Sequence, residues 1–327
     1  MTMLLLDRDF VRRRLTVEVC IPLVRQAMID LSAGRTLQPL RSVVHLAKAR
    51  AFGVMPGAMG AEDAVFGAKL VSVYPENFAQ GRPSHQGAIA VFDPQDGTLA
   101  ALVDAGEVTR IRTACASAAA TDALARPDSS RLAVLGYGEQ AEAHVEAMAA
   151  VRPLREVRVW GRSPERAQDF ADRVGAHLGL AISACADVEA AVCEADIICT
   201  TTAAADPILC SAWVRDGAHV NAVGSSYAGP MEIAADLVAR SRFIADYHPS
   251  VLAQGAEFLA AKATGHVDDS HVVGEIGQVF AGDLAGRQDE AQVTLYKSLG
   301  HVVQDLASAA WLMQTARETG EGTVVAF

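Results

Sequence analysis

The sequence predicts an α/β protein: a Rossmann-type doubly wound parallel sheet together with a mixed α+β domain. Two observations predict the parallel sheet. Short apolar segments alternate with helical segments between residues 132 and 224, and a glycine pattern separates the first of these strands from the following helix. Hydrophobic residues make up 51% and charged residues 20% of the 327-residue chain, so we expect well-packed globular domains.

The region before the parallel sheet mixes short apolar runs with turn signals. Residues 86–92 and 98–103 flank the segment DPQDG, which predicts a β-hairpin closed by an Asp-Gly turn. From Thr109 to Ala125 the chain is rich in alanine and contains neither glycine nor proline. We therefore expect a closely packed helix there, ended by Pro127.

The middle region supplies the strands and helices of the parallel sheet. The predicted strands are 132–136, 157–160, 181–183, 196–202 and 219–224. One helix is expected over 139–150, a second begins at Ser163-Pro164, where serine is the N-cap, and a short third is capped by Asp187. Residues 298–316 predict a further helix from apolar residues at helical spacing, which are Val302, Val303, Leu306, Ala310 and Met313.

Charge and cysteine content exclude several classes of protein. The net charge of −11 argues against a nucleic-acid partner, because nothing would attract the phosphate backbone. No stretch reaches 18 uninterrupted apolar residues, so we expect no membrane span. The six cysteines form no CxxC pair, and the N-terminus lacks the basic-then-apolar order of a signal peptide. Reduced cysteines in a cytoplasmic protein are therefore expected.

The segment LAVLGYGEQA predicts a dinucleotide site. It contains a strand, the spacing Gly136-x-Gly138-x-x-Ala141, and the start of a helix. Gly136 permits a tight turn, Gly138 lets a pyrophosphate approach the backbone, and Ala141 lets the helix pack close to the sheet. The helix N-terminus favours the negative charge of the pyrophosphate.

The residues after the second strand bear on which dinucleotide binds. An acid at this place would bind the ribose 2′-hydroxyl of NAD, whereas an arginine suits the 2′-phosphate of NADP. The chain has Arg162 and Ser163 there, with Arg166 one turn later. A guanidinium and a hydroxyl can both donate hydrogen bonds to a phosphate, so NADPH is the predicted cofactor. NADH is the alternative, if Arg162 is only a solvated surface charge.

Three cations, Arg41, Lys69 and Arg112, lie within a series of motifs that runs along nearly the whole chain. The series is LQPLRSVV, GVMPG, AKLVSVY, PSHQ, IRTACASA, LGYGEQA, VRVWGRS, WVRDGAHVNAVGSS and LYKSLG. By these motifs the chain resembles the ornithine cyclodeaminase/mu-crystallin family, and within it the mu-crystallin-type ketimine reductases. The resemblance implies a homodimer. Residues 1–118 with 301–327 would form the substrate-binding and dimerisation domain, and residues 119–300 the NAD(P)-binding Rossmann domain.

The resemblance also implies roles for individual residues. Arg41, Lys69 and Arg112 would surround the carboxylate of an amino-acid-like substrate, which fits the bidentate grip of a guanidinium. Lys69 would also take part in proton transfer, because a lysine desolvated among cations loses basicity. Ser84 and His85 would reach the nicotinamide or the substrate, and a hydrogen-bonding structural role for His85 stays open.

The motif analysis and the resemblance together give the full set of expected site residues. The expected catalytic residues are Lys69, Arg112 and His85, and the substrate side also includes Met55 and Ser226. The expected cofactor residues are Thr113, Gly136, Gly138, Glu139, Gln140, Arg162, Ser163, Arg166, Thr202, Val223, Gly224 and Ser298.

One position departs from the cyclodeaminase pattern. Cyclodeaminases and the related alanine dehydrogenases place an aspartate shortly after VNAVG, where this chain has Ser226. A hydroxyl cannot serve as a carboxylate base near neutral pH, and the mu-crystallin branch also carries serine here. Release of ammonia from ornithine is therefore disfavoured.

A metal site is not expected. His266 and His271 bracket Asp268 and Asp269 in the segment HVDDSH. Their spacing fits no standard metal site, so we interpret the segment as a polar loop.

Together, these observations predict an NADPH-dependent reductase of a C=N bond adjacent to a carboxylate, with a small-molecule imine as substrate. Cyclic ketimines such as Δ1-pyrroline-2-carboxylate or Δ1-piperideine-2-carboxylate would be reduced to the cyclic L-amino acid, and an acyclic imine is a variant of the same reaction. Two alternatives remain. One is an ornithine cyclodeaminase-type lyase with tightly bound NAD, and the other is a non-catalytic protein that binds NADPH or another ligand.

Overall fold

The computed structural model describes residues 2–47, 50–60 and 65–326. The chain forms two compact units, one of Met1–Arg112 with His301–Phe327 and the other of Thr113–Gly300. The assignment of substrate binding and dimerisation to the first unit stays a prediction. Within the described ranges, no helix is both long enough and apolar enough to cross a membrane.

The strands and helices are numbered in chain order. The strands are β1 (Thr2–Leu6), β2 (Thr36–Leu37), β3 (Ser42–Ala47), β4 (Arg50–Met59), β5 (Val65–Val73), β6 (His85–Phe92), β7 (Leu99–Asp104), β8 (Arg131–Leu135), β9 (Glu156–Trp160), β10 (Ile182–Ala184), β11 (Ile197–Thr200), β12 (His219–Ala222), β13 (Arg242–Ala245), β14 (Val272–Glu275), β15 (Thr294–Lys297) and β16 (Thr323–Ala326). The helices are α1 (Arg8–Arg14), α2 (Val17–Ser32), α3 (Ala105–Leu124), α4 (Glu139–Val151), α5 (Pro164–Leu178), α6 (Val188–Val192), α7 (Ala235–Arg240), α8 (His248–Gln254), α9 (Ala256–Ala263), α10 (Ile276–Ala281) and α11 (Val302–Thr319).

The first unit is built on a mostly antiparallel sheet. Its described strands follow the order β16-β1-β7-β6-β5-β4-β2, with β3 paired to β4 beside this path. Strands β1 and β7 run parallel, and the other pairs run antiparallel. The predicted hairpin is confirmed as β6 and β7, and its turn holds Gly97 at φ +73° while Thr98 N donates to the Asp96 carboxylate.

Helix α11 packs against α2 and against β4, β5 and β6 of this sheet. The predicted helix over 298–316 is confirmed, although it begins at Val302 and continues to Thr319. Its buried apolar residues recur at helical spacing, and the sheet leaves room for them at Gly57. A Cβ at Gly57 would lie 2.5 Å from Val302 Cγ1, so the close approach of helix and strand requires glycine.

The alanine-rich helix α3 begins four residues earlier than the sequence pattern predicts, at Ala105 instead of Thr109. The Asp104 carboxylate accepts a hydrogen bond from Glu107 N at 2.7 Å, so an acid at the end of β7 stabilises the additional turn. The helix starts in the first unit and ends in the second, because the division between the units falls after Arg112.

The second unit is a parallel sheet, as predicted. Its described strands follow the order β10-β9-β8-β11-β12-β15-β13-β14, and all the pairs are parallel. All five predicted strands form, although β11 and β12 each end two residues early, at Thr200 and Ala222. Ser163 and Asp187 cap α5 and α6 as expected. Strands β13 to β15 add to the sheet beyond the elements that the sequence pattern predicted.

A buried carboxylate ties the start of β11 to the segment before β8. Asp196 Oδ1 accepts hydrogen bonds from Arg126 and Arg215, each at 3.0 Å. Its Oδ2 accepts from the backbone N–H groups of Ser130 and Arg131, at 3.0 and 3.1 Å. The Asp196 side chain is only 7% exposed, so its loss would leave these donors without their acceptor in a place that water reaches poorly.

We expect Asp196→Ala to lower the free energy of unfolding by about 2–4 kcal/mol, because it breaks a buried ion pair. Asp128→Ala is the matched control, since Asp128 pairs with the same Arg126 but is 82% exposed. Its cost should stay below about 1 kcal/mol. Urea unfolding followed by tryptophan fluorescence measures both values. Equal losses in the two variants would contradict a special role for Asp196.

Candidate active site

The glycine loop predicted from the sequence joins β8 to α4. Gly136 has φ +124°, and a Cβ there would lie 2.7 Å from Thr201 Oγ1, so the loop requires glycine at this position. Gly138 is the N-cap of α4, and a Cβ on it would meet no atom within 4 Å. Glu139 and Gln140 form the first residues of the helix. The open backbone at a helix N-terminus has the form that a pyrophosphate needs.

The loop is fixed to the end of β9. Gly136 N donates a hydrogen bond to Trp160 O at 2.8 Å. The Tyr137 ring occupies the space beside Gly161, where any Cβ would collide with it. The glycine at position 161 is therefore explained by packing against Tyr137, which the sequence pattern did not reveal.

The residues predicted to contact a 2′-phosphate follow directly. Arg162 is exposed and Ser163 is half-buried. Ser163 Oγ donates to Glu165 Oε2 at 2.9 Å and accepts from Arg166 N at 3.3 Å. The serine hydroxyl is thus shared with an acid, so Arg162 is the clearer candidate for contact with a phosphate.

Glu232 joins the loops that follow β11 and β12. The residue is fully buried, and its carboxylate accepts hydrogen bonds from Thr200 Oγ1 at 2.6 Å, from Thr202 N at 2.6 Å and from Gly224 N at 2.7 Å. Burial raises the pKa of Glu232, and the hydrogen bonds from Thr200 and Thr202 oppose this effect. The carboxylate therefore holds two predicted cofactor residues, Thr202 and Gly224, in fixed positions, and the predicted cofactor residue Val223 beside Gly224 is buried.

A second buried acid lies behind the next loop. Lys297 Nζ forms an ion pair with Glu257 Oε2 at 2.7 Å and donates to Ser225 O at 2.6 Å. Ser226 is half-buried. Ser298 follows β15, and its Oγ atom is buried without a hydrogen-bond partner among the described residues. Through its hydrogen bond to Ser225 O, Lys297 of the motif YKSLG holds the backbone of the loop after β12.

The second unit brings most of the predicted cofactor residues to one edge of its sheet, since each follows the carboxyl end of a parallel strand. They are Gly136 and Gly138 after β8, Arg162 and Ser163 after β9, Thr202 after β11, Val223 and Gly224 after β12, and Ser298 after β15. Thr113 is buried on α3 at the start of this unit. In doubly wound folds, ligands bind outside this edge.

The first unit contains a buried cluster of two cations and one acid. Lys69 Nζ on β5 and Arg112 Nε on α3 both donate to Oδ1 of Asp305 on α11, each at 3.0 Å. Arg112 Nη1 also donates to Gln304 Oε1 at 2.8 Å. The Lys69, Arg112 and Asp305 side chains are 3%, 6% and 0% exposed. The fold thus brings together two of the three predicted carboxylate-binding cations, with an acid between them.

The charges in this cluster shift its pKa values. Burial lowers the pKa of Lys69 to about 8; Asp305 opposes this shift, while Arg112 and Arg41 add to it. Burial would raise the pKa of Asp305, but the charges of Arg112 and Lys69 outweigh it and keep that pKa below its usual range. Arg41, which lies between β2 and β3, is therefore near enough to act on Lys69. Three cations and one carboxylate leave an excess of positive charge.

Two other predicted site residues, Met55 and His85, are related to Lys69 in the structure. Met55 is buried and pairs with Lys69 across the β4–β5 ladder. Ser84 Oγ lies 3.0 Å from His85 Nδ1. Removal from bulk water, with the charges of Lys69 and Arg112, lowers the pKa of His85. His85 keeps an exposed surface, so the charges of Lys69 and Arg112 account for this lowered pKa better than burial does. The imidazole is therefore neutral near pH 7.

Sequence reasoning missed Asp305, Gln304 and Glu232. Gln304 and Asp305 are adjacent buried polar residues on the mostly apolar face of α11, and that break in the pattern was a usable signal. A buried acid on a helix needs a cation as its partner. Glu232 lies in an ordinary mixed segment, MEIAADL, and only the fold reveals its partners.

In the described ranges, no three His, Cys, Asp or Glu side chains converge in a way that could hold a metal ion. The side chains of HVDDSH are engaged in local structure. Asp268 caps a 3₁₀ turn, Lys262 Nζ donates to Asp269 at 2.5 Å, and His271 Nε2 lies 2.7 Å from Val238 O.

Comparisons with known proteins match residues of both units. The profile of the ornithine cyclodeaminase/mu-crystallin family matches residues 1–320. The chain is 37% identical over 293 residues to ketimine reductase mu-crystallin of Mus musculus, a match that covers 88% of this chain and 89% of the mouse protein.

Two solved structures are similar over almost the whole length. One is Thermococcus litoralis Δ1-pyrroline-2-carboxylate reductase in complex with NADH and L-proline, with a TM-score of 0.94, 30% identity and coverage of 98% of this chain and 99% of that one. The other is an archaeal alanine dehydrogenase dimer with bound NAD, with a TM-score of 0.92, 25% identity and full coverage of both chains (100% each).

The family profile spans nearly all of the sequence, and the motifs that suggested the family are part of that match. The resemblance is therefore confirmed: the chain belongs to the ornithine cyclodeaminase/mu-crystallin family.

Proposed function

We propose that the protein is an NADPH-dependent reductase of a C=N bond adjacent to a carboxylate. Its substrates are cyclic ketimines such as Δ1-pyrroline-2-carboxylate or Δ1-piperideine-2-carboxylate, and its products are the cyclic L-amino acids. The observation that carries the proposal is the buried Lys69–Arg112–Asp305 cluster with its excess of positive charge. The relatives named ketimine reductase and Δ1-pyrroline-2-carboxylate reductase support it.

The cation cluster binds the substrate carboxylate. Arg112 offers a planar guanidinium for bidentate hydrogen bonds, and Arg41 adds a second guanidinium near Lys69. A carboxylate loses hydration when it enters a site as buried as Lys69, and the surplus positive charge offsets that loss. Binding at this point fixes the orientation of the C=N bond beside the carboxylate.

Reduction adds a hydride to the imine carbon and a proton to the imine nitrogen. A reduced dinucleotide whose pyrophosphate is held at the glycine loop would supply the hydride from its nicotinamide. The proton comes from Lys69, whose pKa of about 8 leaves it mostly protonated at pH 7 and still able to release the proton to a nearby base. His85, neutral at this pH, accepts or donates a hydrogen bond beside the reacting nitrogen.

The residues of the second unit fit a dinucleotide. The backbone at Gly138 is open where a pyrophosphate would approach, and the N-terminus of α4 favours its charge. We assign the preference for NADPH to the exposed Arg162, because a guanidinium is favourable beside a 2′-phosphate. NADH is the alternative electron donor, since Glu165 shares the Ser163 hydroxyl and disfavours a phosphate there.

Ser226 separates this proposal from a cyclodeaminase. A lyase that releases ammonia needs a base for the substrate amine, and a hydroxyl does not serve as one near neutral pH. Reduction of an iminium needs no strong base, because its carbon is already electron-poor. A non-catalytic binding role would need the same two sites but no turnover.

We also propose a cytoplasmic homodimer. Large apolar side chains are exposed along one segment of the first unit; they are Leu37, Leu40, Val43, Val44 and Leu46. Strand β3 is exposed along its whole length, and exposed apolar surface of this kind marks an interface. A second copy of the chain is the occupant that the family implies, and the archaeal alanine dehydrogenase is described as a dimer. The free thiols fit a reducing compartment.

Mixing the enzyme with NADPH and a panel of cyclic ketimines tests the proposed reaction. We expect one NADPH to be oxidised for each imine reduced, with the five- or six-membered ring preferred, because the carboxylate orients the C=N bond. Absorbance of the reduced cofactor measures the rate, and chromatography identifies the amino acid formed. Ammonia from ornithine with catalytic cofactor would instead identify a lyase, and binding without turnover a ligand-binding protein.

A matched pair of arginines assigns that activity to the cation cluster. Arg112→Ala should raise KM for the imine about 100-fold, because a charge-assisted bidentate contact is lost. Arg110 lies on the same helix but pairs with Glu107. The control variant Arg110→Ala should therefore change KM for the imine less than about threefold. Equal effects would mean that the cluster is not the carboxylate site.

Arg162→Asp tests the cofactor preference. The variant replaces a guanidinium with an acid, so it should weaken NADPH at least about 10-fold and NADH less than about threefold. Fluorescence titration of each reduced cofactor measures the dissociation constants. Arg173→Asp on α5 is the control, because Arg173 pairs with Glu142 at the surface. Equal weakening of both cofactors by Arg162→Asp would refute the phosphate contact.

The double variant Val44→Glu with Leu46→Glu tests the homodimer. Placing two charges on an apolar interface should shift the mass in sedimentation from two chains to one. Val324→Glu is the control, since Val324 is 68% exposed on β16 of the same sheet. A wild-type chain that sediments as a monomer at micromolar concentration would contradict the proposal.

A further inference from the structure

We propose that Asp305 is a positioning residue for the reduction: it fixes Lys69 and Arg112 at one point and keeps on Lys69 the proton that goes to the imine nitrogen. The inference rests on the proposed function and extends it to a residue on a different element. It stands on the geometry of the cluster and on the signs of the charges that face Lys69.

The geometry makes Asp305 the common partner of both cations. Lys69 and Arg112 lie on β5 and α3, and neither hydrogen-bonds to the other in the described structure. Each donates to the same oxygen, Oδ1 of Asp305, at 3.0 Å. The second oxygen, Oδ2, is buried and has no hydrogen-bond partner among the described residues. The two substrate-binding cations are therefore placed by one carboxylate on α11.

The charges around Lys69 come from four elements. Asp305 faces it from α11, Arg112 from α3, Arg41 from the segment after β2, and His85 from the start of β6. Arg112 and Arg41 disfavour the ammonium form, and His85 is neutral near pH 7. Asp305 is the acid in this set. Burial and two arginines would together drive the proton from Lys69, and Asp305 opposes them.

The proton balance of the reaction needs this effect. The Lys69 ammonium gives its proton to the imine nitrogen, and the new N–H bond converts the neutral imine into an iminium. The hydride then forms the C–H bond as the C=N π pair returns to nitrogen. Lys69 is left as a neutral amine and takes a proton from water before the next turnover. A Lys69 that loses its proton below neutral pH would start each cycle without it.

Asp305→Asn separates charge from shape, because the amide oxygen can still accept from Lys69 and Arg112. We expect the pKa of Lys69 to fall by at least about one pH unit. In kcat/KM for the imine, the fall at high pH should move to lower pH by the same amount. The kcat/KM of the variant should be within about threefold of the wild-type value at pH 6 and about 10-fold below it at pH 8.5. A merely structural defect would lower kcat/KM at every pH.

Nuclear magnetic resonance gives a readout that does not depend on turnover. The chain contains four lysines, which are Lys48, Lys69, Lys262 and Lys297. Biosynthetic labelling with 13Cε-lysine therefore gives four signals, and Lys69→Arg identifies the one from Lys69. Its titration in wild type and in Asp305→Asn measures the pKa change directly.

Two further variants complete the design. Glu107→Gln is the matched control, since Glu107 is a buried acid that pairs with Arg8, Arg12 and Arg110 but is not among the groups facing Lys69. It should leave both the pH profile and the Lys69 titration unchanged. Asp305→Glu keeps the charge, so its profile should retain the wild-type pH dependence at a lower kcat, even if Asp305→Asn does not fold.

The possible failures are distinguishable. A Lys69 titration that is the same in wild type and Asp305→Asn overturns the role of Asp305, whatever the enzyme reduces. An Asp305→Glu profile shifted toward acid also overturns it. A wild-type enzyme that reduces no imine overturns the proposed function, and the titration then still reports the coupling of the two side chains.

Discussion

The carboxylate of Asp305 is the contact on which the first unit depends. Lys69 and Arg112 are almost fully buried, and two like charges so far from water are costly without an acid between them. The acid comes from α11, 236 positions after Lys69 in the chain. The last helix therefore belongs with the first 112 residues, because it completes the apolar core of that unit and supplies the acid that its two buried cations need.

The second unit also contains buried acids, and there they fix the shape of loops. Its parallel strands end at one edge, and the loops there must expose backbone N–H groups to a ligand while keeping a fixed shape. Glu232 holds the loops after β11 and β12 by accepting from Thr202 N and Gly224 N. Lys297, which forms an ion pair with Glu257, also holds the loop after β12 by donating to Ser225 O. Buried acids thus fix two predicted substrate-binding cations in one unit and the loops predicted to face the cofactor in the other.

The sequence could predict what local pattern determines. The β8–glycine–α4 unit, the Ser163 cap and the β6–β7 hairpin all depend on residues within a few positions of one another, and each was predicted. Asp305 and Glu232 were not, because their partners are distant in sequence: 236 positions separate Asp305 from Lys69, and 30 separate Glu232 from Thr202. Periodicity shows that a face is buried, but it does not show which charge will meet it there.

The state of Asp305 also bears on which reaction the site can carry out. A carboxylate that pairs with two cations has a pKa below its usual range, and it is correspondingly a weak base. It therefore cannot replace the aspartate that cyclodeaminases carry where this chain has Ser226. Among the described residues of the cluster, Lys69 carries a proton near pH 7, and the carboxylate of Asp305 is a weak acceptor for one. Such an arrangement suits the proposed addition of a hydride and a proton to C=N, in which the protein has a proton to give and no carboxylate base is required.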